Sequence, residues 1–294
     1  MTTEPNRKQA DELKEKLRSD ATYREAFFDA HDAGLLLAQG KEIFIVNAQD
    51  TIISKTLFVD GAFDFEKFER AATIAKVDSA HATLIDVGAN LGSICIPALA
   101  RNCVKHAVAI EPEPQNFKLL RTNAILNGVD SQMTVHQTAL GSHEDRDAVF
   151  ELSKNNFGDH RIFSACDSGR FGEAERERIH VNISTLDKVV APVFDQPLFL
   201  WIDTQGYEGH ILAGAPEILK IAPPAVIEFW PYGLKRANGY ERLKEALKGS
   251  NYTEFVDLDG DNPNPVALTD ENLDRIYRAL GENWPFTDLL LMRS

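Results

Sequence analysis

Residues 84–92 read LIDVGANLG. A short apolar run ends in Asp86, Gly88, Asn90 and Gly92, and SICIPALARN (93–102) follows with helical character. Pro97 is tolerated there only in the first turn. Working outward, HAVAIEP (106–112) is a second apolar strand, and PQNFKLLRTNAILNG (114–128) is a helix. Its Pro114 stands near the start and its Gly128 after the end, the usual asymmetry of helix termini. MTVHQTAL (133–140) reads as a third strand. A β-α-β-α-β series implies a parallel sheet.

The same alternation returns after a polar stretch from Gly141 to about Arg178, with a strand expected at RIHVNISTL (178–186). PLFLWID (197–203) and PAVIEFW (224–230) are buried strands, separated by a helix over 209–220 and followed by another at 240–249. YTEFVDLDG (252–260) and TDLLLMR (287–293) close the chain, and their connection, short on helix, suits antiparallel pairing. RIHVNISTL apart, seven core strands result, with helices on both faces: an α/β, Rossmann-like sheet. Ahead of it, residues 7–31 read as one or two helices, 42–63 as strands in hairpins, and 64–77 as a helix. The expected division is an extension of helices and a β-hairpin over residues 1–76 and a main domain over 77–294.

The chain has 294 residues and a formal net charge of −14. Such a surface repels phosphate backbones, so nucleic acid is not the expected partner. Cys95, Cys103 and Cys166 form no CxxC pair, which argues against a disulfide framework or a zinc site. The polar N-terminus lacks the apolar stretch of a secretory signal, and no apolar run is long enough to span a bilayer, so a cytoplasmic protein is expected. A homo-oligomer stays open. The eight histidines show no zinc spacing, and DLDGDNPNP (257–265) lacks the distal Glu of a calcium loop, so no metal is expected.

Glycines in LIDVGANLG let the backbone turn sharply and approach a ligand, and the following helix start offers unpaired N–H groups. Glu111, near the end of the next strand, is 19 residues beyond Gly92. In a doubly wound sheet an acid there reaches the two hydroxyls of a ribose. The dinucleotide fingerprint G-x-G-x-x-G is not met, and no P-loop is present. Asp86 disfavours a phosphate-rich ligand but suits a cationic one. S-adenosylmethionine, with a sulfonium, an ammonium and a single carboxylate, fits an acid-lined loop.

The strings DVGANLG, AIEPEPQNF, NFGDHRIF, STLD and LWIDTQGYEGHILAGA resemble FkbM-type S-adenosylmethionine-dependent methyltransferases, over about residues 57–255. The resemblance implies a class I methyltransferase fold and O-methylation of a hydroxyl on a carbohydrate or secondary metabolite. It further implies that Asp86, Gly88, Ala89, Asn90 and Gly92 wrap the methionine end, that Glu111 holds the ribose, and that Thr138 and Ala139 lie near the adenine. Relatives often carry Lys before the ID of the fourth core strand; Trp201 stands here, so a basic group is expected to be missing beside the transfer site.

Methyl transfer needs an aligned nucleophile and, for an alcohol at neutral pH, a nearby base. Asp203 ends the fourth strand, where open α/β sheets place ligand groups; it is a base, a partner for the cofactor's ammonium, or a helix cap. His160 has the unperturbed pKa for proton transfer, or is a loop histidine. Glu228, an acid in an apolar run, binds substrate or pairs with a buried Arg. Tyr207, Glu208 and Trp230 flank the same strand ends and are candidate substrate contacts, with a core role as the alternative for the rings. Arg161, Arg170, Arg176 and Arg178 are offset by Glu173, Glu175 and Glu177. Two rival functions share this pattern: a nicotinamide-dependent oxidoreductase or epimerase, and a non-catalytic nucleoside-binding domain.

Overall fold

The computed structural model describes residues 4–30, 32, 34–164, 169–260 and 264–294. Cys166 and residues 261–263 of the acidic turn lie outside the described residues. The chain begins with α1 (Glu4–Ser19), α2 (Ala21–Ala30), β1 (Leu35–Gln39), β2 (Ile43–Asn47), α3 (Ile53–Asp60) and α4 (Phe65–Ile74). The first half of the sheet follows as β3 (Thr83–Val87), α5 (Cys95–Ala100), β4 (His106–Ile110), α6 (Pro114–Leu126) and β5 (Met133–His136). Next come β6 (Ala139–Leu140), β7 (Asp145–Leu152), β8 (Arg161–Ile162), β9 (Glu177–Ser184) and α7 (Leu186–Val190). The second half is β10 (Leu198–Ile202), α8 (Glu208–Ala213), α9 (Pro216–Ile221), β11 (Ala225–Phe229), α10 (Pro231–Arg236), α11 (Tyr240–Lys248), β12 (Glu254–Asp257), β13 (Val266–Ala267), α12 (Asp270–Leu280) and β14 (Thr287–Met292).

The main sheet has eight strands in the order β13-β12-β14-β11-β10-β3-β4-β5. Strands β11, β10, β3, β4 and β5 run parallel, and β14 is inserted antiparallel between β11 and β12. This is the expected α/β architecture, with the two-residue β13 added to the seven strands. From β3 the chain winds outward through β4 and β5, then returns to the other side of β3 as β10. The order therefore reverses between β3 and β10, where open sheets leave a crevice for ligands.

Strand residues alternate between two apolar layers, as the pleat requires. Leu84, Phe199, Trp201, Val226 and Leu290 pack with Leu57, Phe65, Phe68 and Leu120 on one face. Ile85, Val87, Leu200, Ile202, Ile227 and Leu289 pack with Ile211, Leu234 and Leu243 on the other. The N-terminal residues Phe28, Phe44 and Val46 join the first layer, so the extension and the sheet share a core. Among the described residues no helix is long and apolar enough to cross a membrane.

Several local expectations need correction. Within 42–63 only β2 is a strand, paired antiparallel with β1, and Ile53–Asp60 form helix α3. The fully buried Asp50 accepts from the N–H groups of Ile52 (3.1 Å) and Ser54 (2.8 Å), and Gly61 closes the helix at φ 80°. A carboxylate satisfying first-turn donors overrides the β preference of Ile52 and Ile53. The stretch 133–140 is split between two sheets, because β6 pairs with β9 in a four-stranded sheet ordered β6-β9-β7-β8. Strand β7, inside that polar stretch, buries Ala148, Phe150 and Glu151 and exposes Asp145, Arg146 and Asp147. Residues 209–220 form two helices that meet at Gly214, where a Cβ would lie 2.1 Å from the Gly141 carbonyl oxygen. The connection between the last two long strands does carry a helix, α12.

Candidate active site

The loop after β3 is built around close backbone contacts. A Cβ on Gly88 (φ 87°) would sit 1.9 Å from the Asp203 carbonyl oxygen, so only glycine lets the tips of β3 and β10 touch. Asn90 is left-handed at φ 51°. Its N–H donates to Glu111 Oε2 (2.9 Å), its Oδ1 accepts from the Leu91 N–H (2.8 Å), and its amide donates to the Phe157 carbonyl (2.9 Å). The other Glu111 oxygen accepts from the Glu113 N–H at 2.8 Å. Each oxygen of Glu111 thus keeps acceptor capacity for one further donor. Burial pushes its carboxyl up to about 8, opposed by the Glu113 N–H.

A cleft of about 630 Å³ lies over these strand ends. It is lined by Gly88, Asn90, Glu111, Thr138, Ala139, His160, Asp203 and Tyr207, with Val87, Ile110, Phe150 and Phe157 as apolar walls. Eight of the residues singled out in the sequence therefore meet in one place. Ala89 and Gly92 stand in the loop behind the lining, where a Cβ on Gly92 would strike the Ile96 side chain at 2.4 Å. Asp86 does not line the cleft. It shares the strand face of Leu84 and is fully buried beside Cys95, whose thiol and N–H oppose the burial that raises its carboxyl to about 6. Glu208 also lines neither cavity. Its Oε1 accepts from the N–H and hydroxyl of Thr204 (both 2.9 Å) and from the Gly206 N–H (3.3 Å), which clamps the loop after β10.

A second chamber of about 710 Å³ adjoins the first. Ile53, Gly158 and Asp203 line both. Its other walls are Asp64, Asp159, Glu228 and Asp288, the rings of Phe63, Trp201, Trp230, Trp284 and Phe286, and the amides Asn156 and Gln205. The register sets Ile202 beside Ile227 and Glu228 beside Asp288, so Asp203, Glu228 and Asp288 form a row across the ends of three neighbouring strands. Burial raises Asp203 to about 7, opposed by a hydrogen bond from Gln205, and raises Asp288 to about 7, opposed by Lys67. Glu228 is pushed up by burial and then by Asp203.

Gln205 is a residue that the sequence reading passed over. It is left-handed at φ 59°, and its Nε2 donates to both Asp203 Oδ1 (2.8 Å) and Glu228 Oε1 (2.9 Å). Strained backbone of this kind persists where surroundings over-determine it. The Gln205-Gly206 dipeptide right after a strand end was its one signal.

A basic group of α4 stands behind the acidic row. Lys67 Nζ lies 2.6 Å from Asp288 and 3.1 Å from Asp259, and its charge lowers the Asp203 carboxyl. Two of the arginines read as offset by nearby glutamates are paired internally, mostly through Asp159: Arg161 pairs with Asp159 (2.7 Å) and Glu173 (3.2 Å), and Arg176 pairs with Asp159.

His160 is half-buried, in ring contact with Phe157 and Phe150. Its Nδ1 accepts the Ser153 N–H at 3.0 Å, which places the ring proton on Nε2. Burial and the nearby Arg176 hold its pKa down to about 3. A neutral imidazole so fixed is a hydrogen-bond donor. The loop carrying it is tied down from below by Asn90 and from the N-terminal side by Asp50, which accepts the Phe157 N–H at 3.2 Å.

The crevice at the strand reversal, the glycine-lined loop and the acid at the next strand end define a class I methyltransferase site. The Methyltransferase FkbM domain family matches residues 86–252, more than half of the chain. The chain belongs to that family, and S-adenosylmethionine is its cofactor. A comparison with curated protein sequences finds no match. Similar solved structures include the B. subtilis M1A22 tRNA methyltransferase TrmK, at 12% identity and TM-score 0.39, covering 77% of this chain and 66% of that one. M. jannaschii TYW2 in complex with AdoMet is 11% identical, with TM-score 0.41 and coverage of 90% and 89%. The M. jannaschii tRNA m1G37 methyltransferase is 11% identical, with TM-score 0.41 and coverage of 90% and 55%. The chain thus spans just under two thirds of TrmK's length.

Proposed function

We propose that this methyltransferase moves the methyl group to a hydroxyl of a small molecule, a carbohydrate or secondary metabolite. The observation that carries the reading is that Asp203 lines both cavities, at the point where they meet. When bound, S-adenosylmethionine supplies an electrophilic methyl group on a sulfonium. The residues fit it: Gly88, Asn90 and Glu111 line the cleft, and the carboxyl of Glu111 has acceptor capacity to spare.

In this reading Gly88, Ala89, Asn90 and Gly92 shape the backbone around the methionine end, with Asp86 supporting the loop from beneath. Glu111 takes the two ribose hydroxyls, and Thr138 and Ala139 border the adenine. Asp203 accepts the acceptor's hydroxyl proton. Gln205 positions it and Glu208 fixes the loop that carries both. His160 donates from Nε2 and is not the base. Tyr207 borders the cofactor side, while Glu228 and Trp230 meet the acceptor. Residues 1–76 act as an extension of the 77–294 domain that walls the acceptor chamber through Ile52, Ile53, Phe63 and Asp64. The acidic row disfavours a polyanionic partner such as nucleic acid. The nicotinamide reading falls with the family assignment.

The test is a methyl-transfer assay with labelled S-adenosylmethionine over a hydroxyl library, read for the wild type and Asp203→Asn. Transfer to oxygen that collapses in Asp203→Asn supports the proposal. Transfer to nitrogen or carbon alone, or full activity of the variant, overturns it.

A further inference from the structure

The chamber beside the cofactor cleft also specifies the charge of what enters it, an inference that rests on reading it as the acceptor's site. Two of its carboxylates are neutralised within the chain, Asp288 by Lys67 (2.6 Å) and Asp159 by Arg161 (2.7 Å). Glu228 is not. It is 96% buried, since its relative exposure is 4%. Its Oε1 accepts from the neutral amide of Gln205, and its Oε2 has no hydrogen-bond partner among the described residues. The charges that weigh most on it are Asp203, Glu208, Asp288 and Asp159, carboxylates all. A buried carboxyl with an unmet oxygen calls for a donor, and an ionised one for a cation.

Two indoles of the same chamber offer the second half of a cation site. Trp230 and Trp284 both line the chamber, and Trp284 is 54% exposed at its rim. Indole faces attract cations. This wall already does so within the chain: the Arg161 guanidinium stands 5.0 Å from the Trp230 ring centroid and Lys67 Nζ 5.7 Å from that of Phe286. An anionic acceptor would face the carboxylate row, and one without a polar nitrogen would leave Glu228 Oε2 without a partner.

We propose that the acceptor is a small amine-bearing alcohol. Its cationic nitrogen pairs with Glu228 Oε2 beside the Trp230–Trp284 wall, and its hydroxyl is presented to Asp203. Glu228 thereby determines specificity, and the methyl goes to oxygen because the nitrogen is held by Glu228 away from the base.

The three tryptophans of the chain, Trp201, Trp230 and Trp284, all line this chamber, so intrinsic fluorescence reports on it directly. The full chain, saturated with S-adenosylhomocysteine, is titrated with ethanolamine, with choline, and with the uncharged isostere of choline in which a tert-butyl group replaces the trimethylammonium. Both cations are expected to change the emission. The isostere should bind about tenfold more weakly or worse, the size of a desolvated cation–π and charge contribution. Glu228→Gln should lose that preference while S-adenosylhomocysteine binds unchanged. Trp284→Ala, at the exposed rim, should weaken both cations and provides a second reading if Glu228→Gln fails to fold. No response to either cation, equal binding of the isostere, or an unaltered preference in the variants overturns the inference. Cation binding without any O-methylation would leave only the chamber's preference for cations standing and sink the amine-bearing alcohol as the acceptor. O-methylation confined to neutral acceptors and indifferent to Glu228→Gln would sink the inference and leave the proposed reaction standing.

Discussion

Glu111→Gln isolates the contact on which the cofactor assignment turns. The two carboxylate oxygens accept the backbone N–H groups of Asn90 (2.9 Å) and Glu113 (2.8 Å). Each oxygen therefore has room for one ribose hydroxyl. Glutamine retains a single oxygen, and its NH₂ end must then confront one of those two fixed N–H donors. At least one charge-assisted hydrogen bond to the ribose is lost, worth about 1.5–3 kcal/mol. That corresponds to a Kd for S-adenosylhomocysteine raised about 10- to 150-fold. A pH signature accompanies it. Because burial raises the Glu111 carboxyl to about 8 in the free chain, a ligand that needs the ionised form must first displace a proton below that pH. Affinity should climb as pH rises from 6 toward 8, by up to about tenfold per unit, and level off above. Glutamine cannot titrate, so the slope should vanish with the mutation. Isothermal titration across that range, with thermal melts to verify folding, measures both effects. A Kd within a few fold of wild type and an unchanged slope would refute the placement of the ribose at Glu111.

Asp203→Asn should lower kcat by about 10²–10⁴-fold, the usual worth of a general base, with S-adenosylhomocysteine affinity little changed. The wild-type rate should rise with pH through about 7, where Asp203 ionises. His160→Gln should keep that rising limb, since its pKa lies down near 3; loss of the limb would make His160 the base. Asp203, Asp288 and Glu208 have native values near 7, above their ordinary 3.8, 3.8 and 4.5. The folded chain thus binds protons more tightly than the unfolded chain, and stability must fall as pH rises from about 4 to about 7. Melts should show Tm decreasing across that window, and a rising Tm would contradict the buried carboxyl row. Asp50→Ala strips acceptors from three N–H groups, those of Ile52, Ser54 and Phe157. It should cost about 2–4 kcal/mol by chemical denaturation and weaken cofactor binding by releasing the loop that carries His160.

The β-α-β series from Leu84, its return at residues 197–249, the parallel sheet and the glycine loop after its first strand were legible in the amino-acid order. They follow from periodicity, caps and turns that act over a few residues. The meeting of Gly88, Asn90, Glu111 and Asp203 in one cleft follows from that order, because such sheets bring strand ends to one edge. What only the tertiary structure decided depends on register and on contacts between distant segments. The parity of Asp86 along β3 turned its carboxylate toward α5. A backbone N–H from Ser153 settled the tautomer of His160. Asp50 converted an apparent hairpin into a helix. The row of Asp203, Glu228 and Asp288, its Gln205 bridge and the Lys67 behind it come from elements far apart in the chain. No local pattern encodes which strands will be neighbours, and so none could announce the charged chamber they enclose.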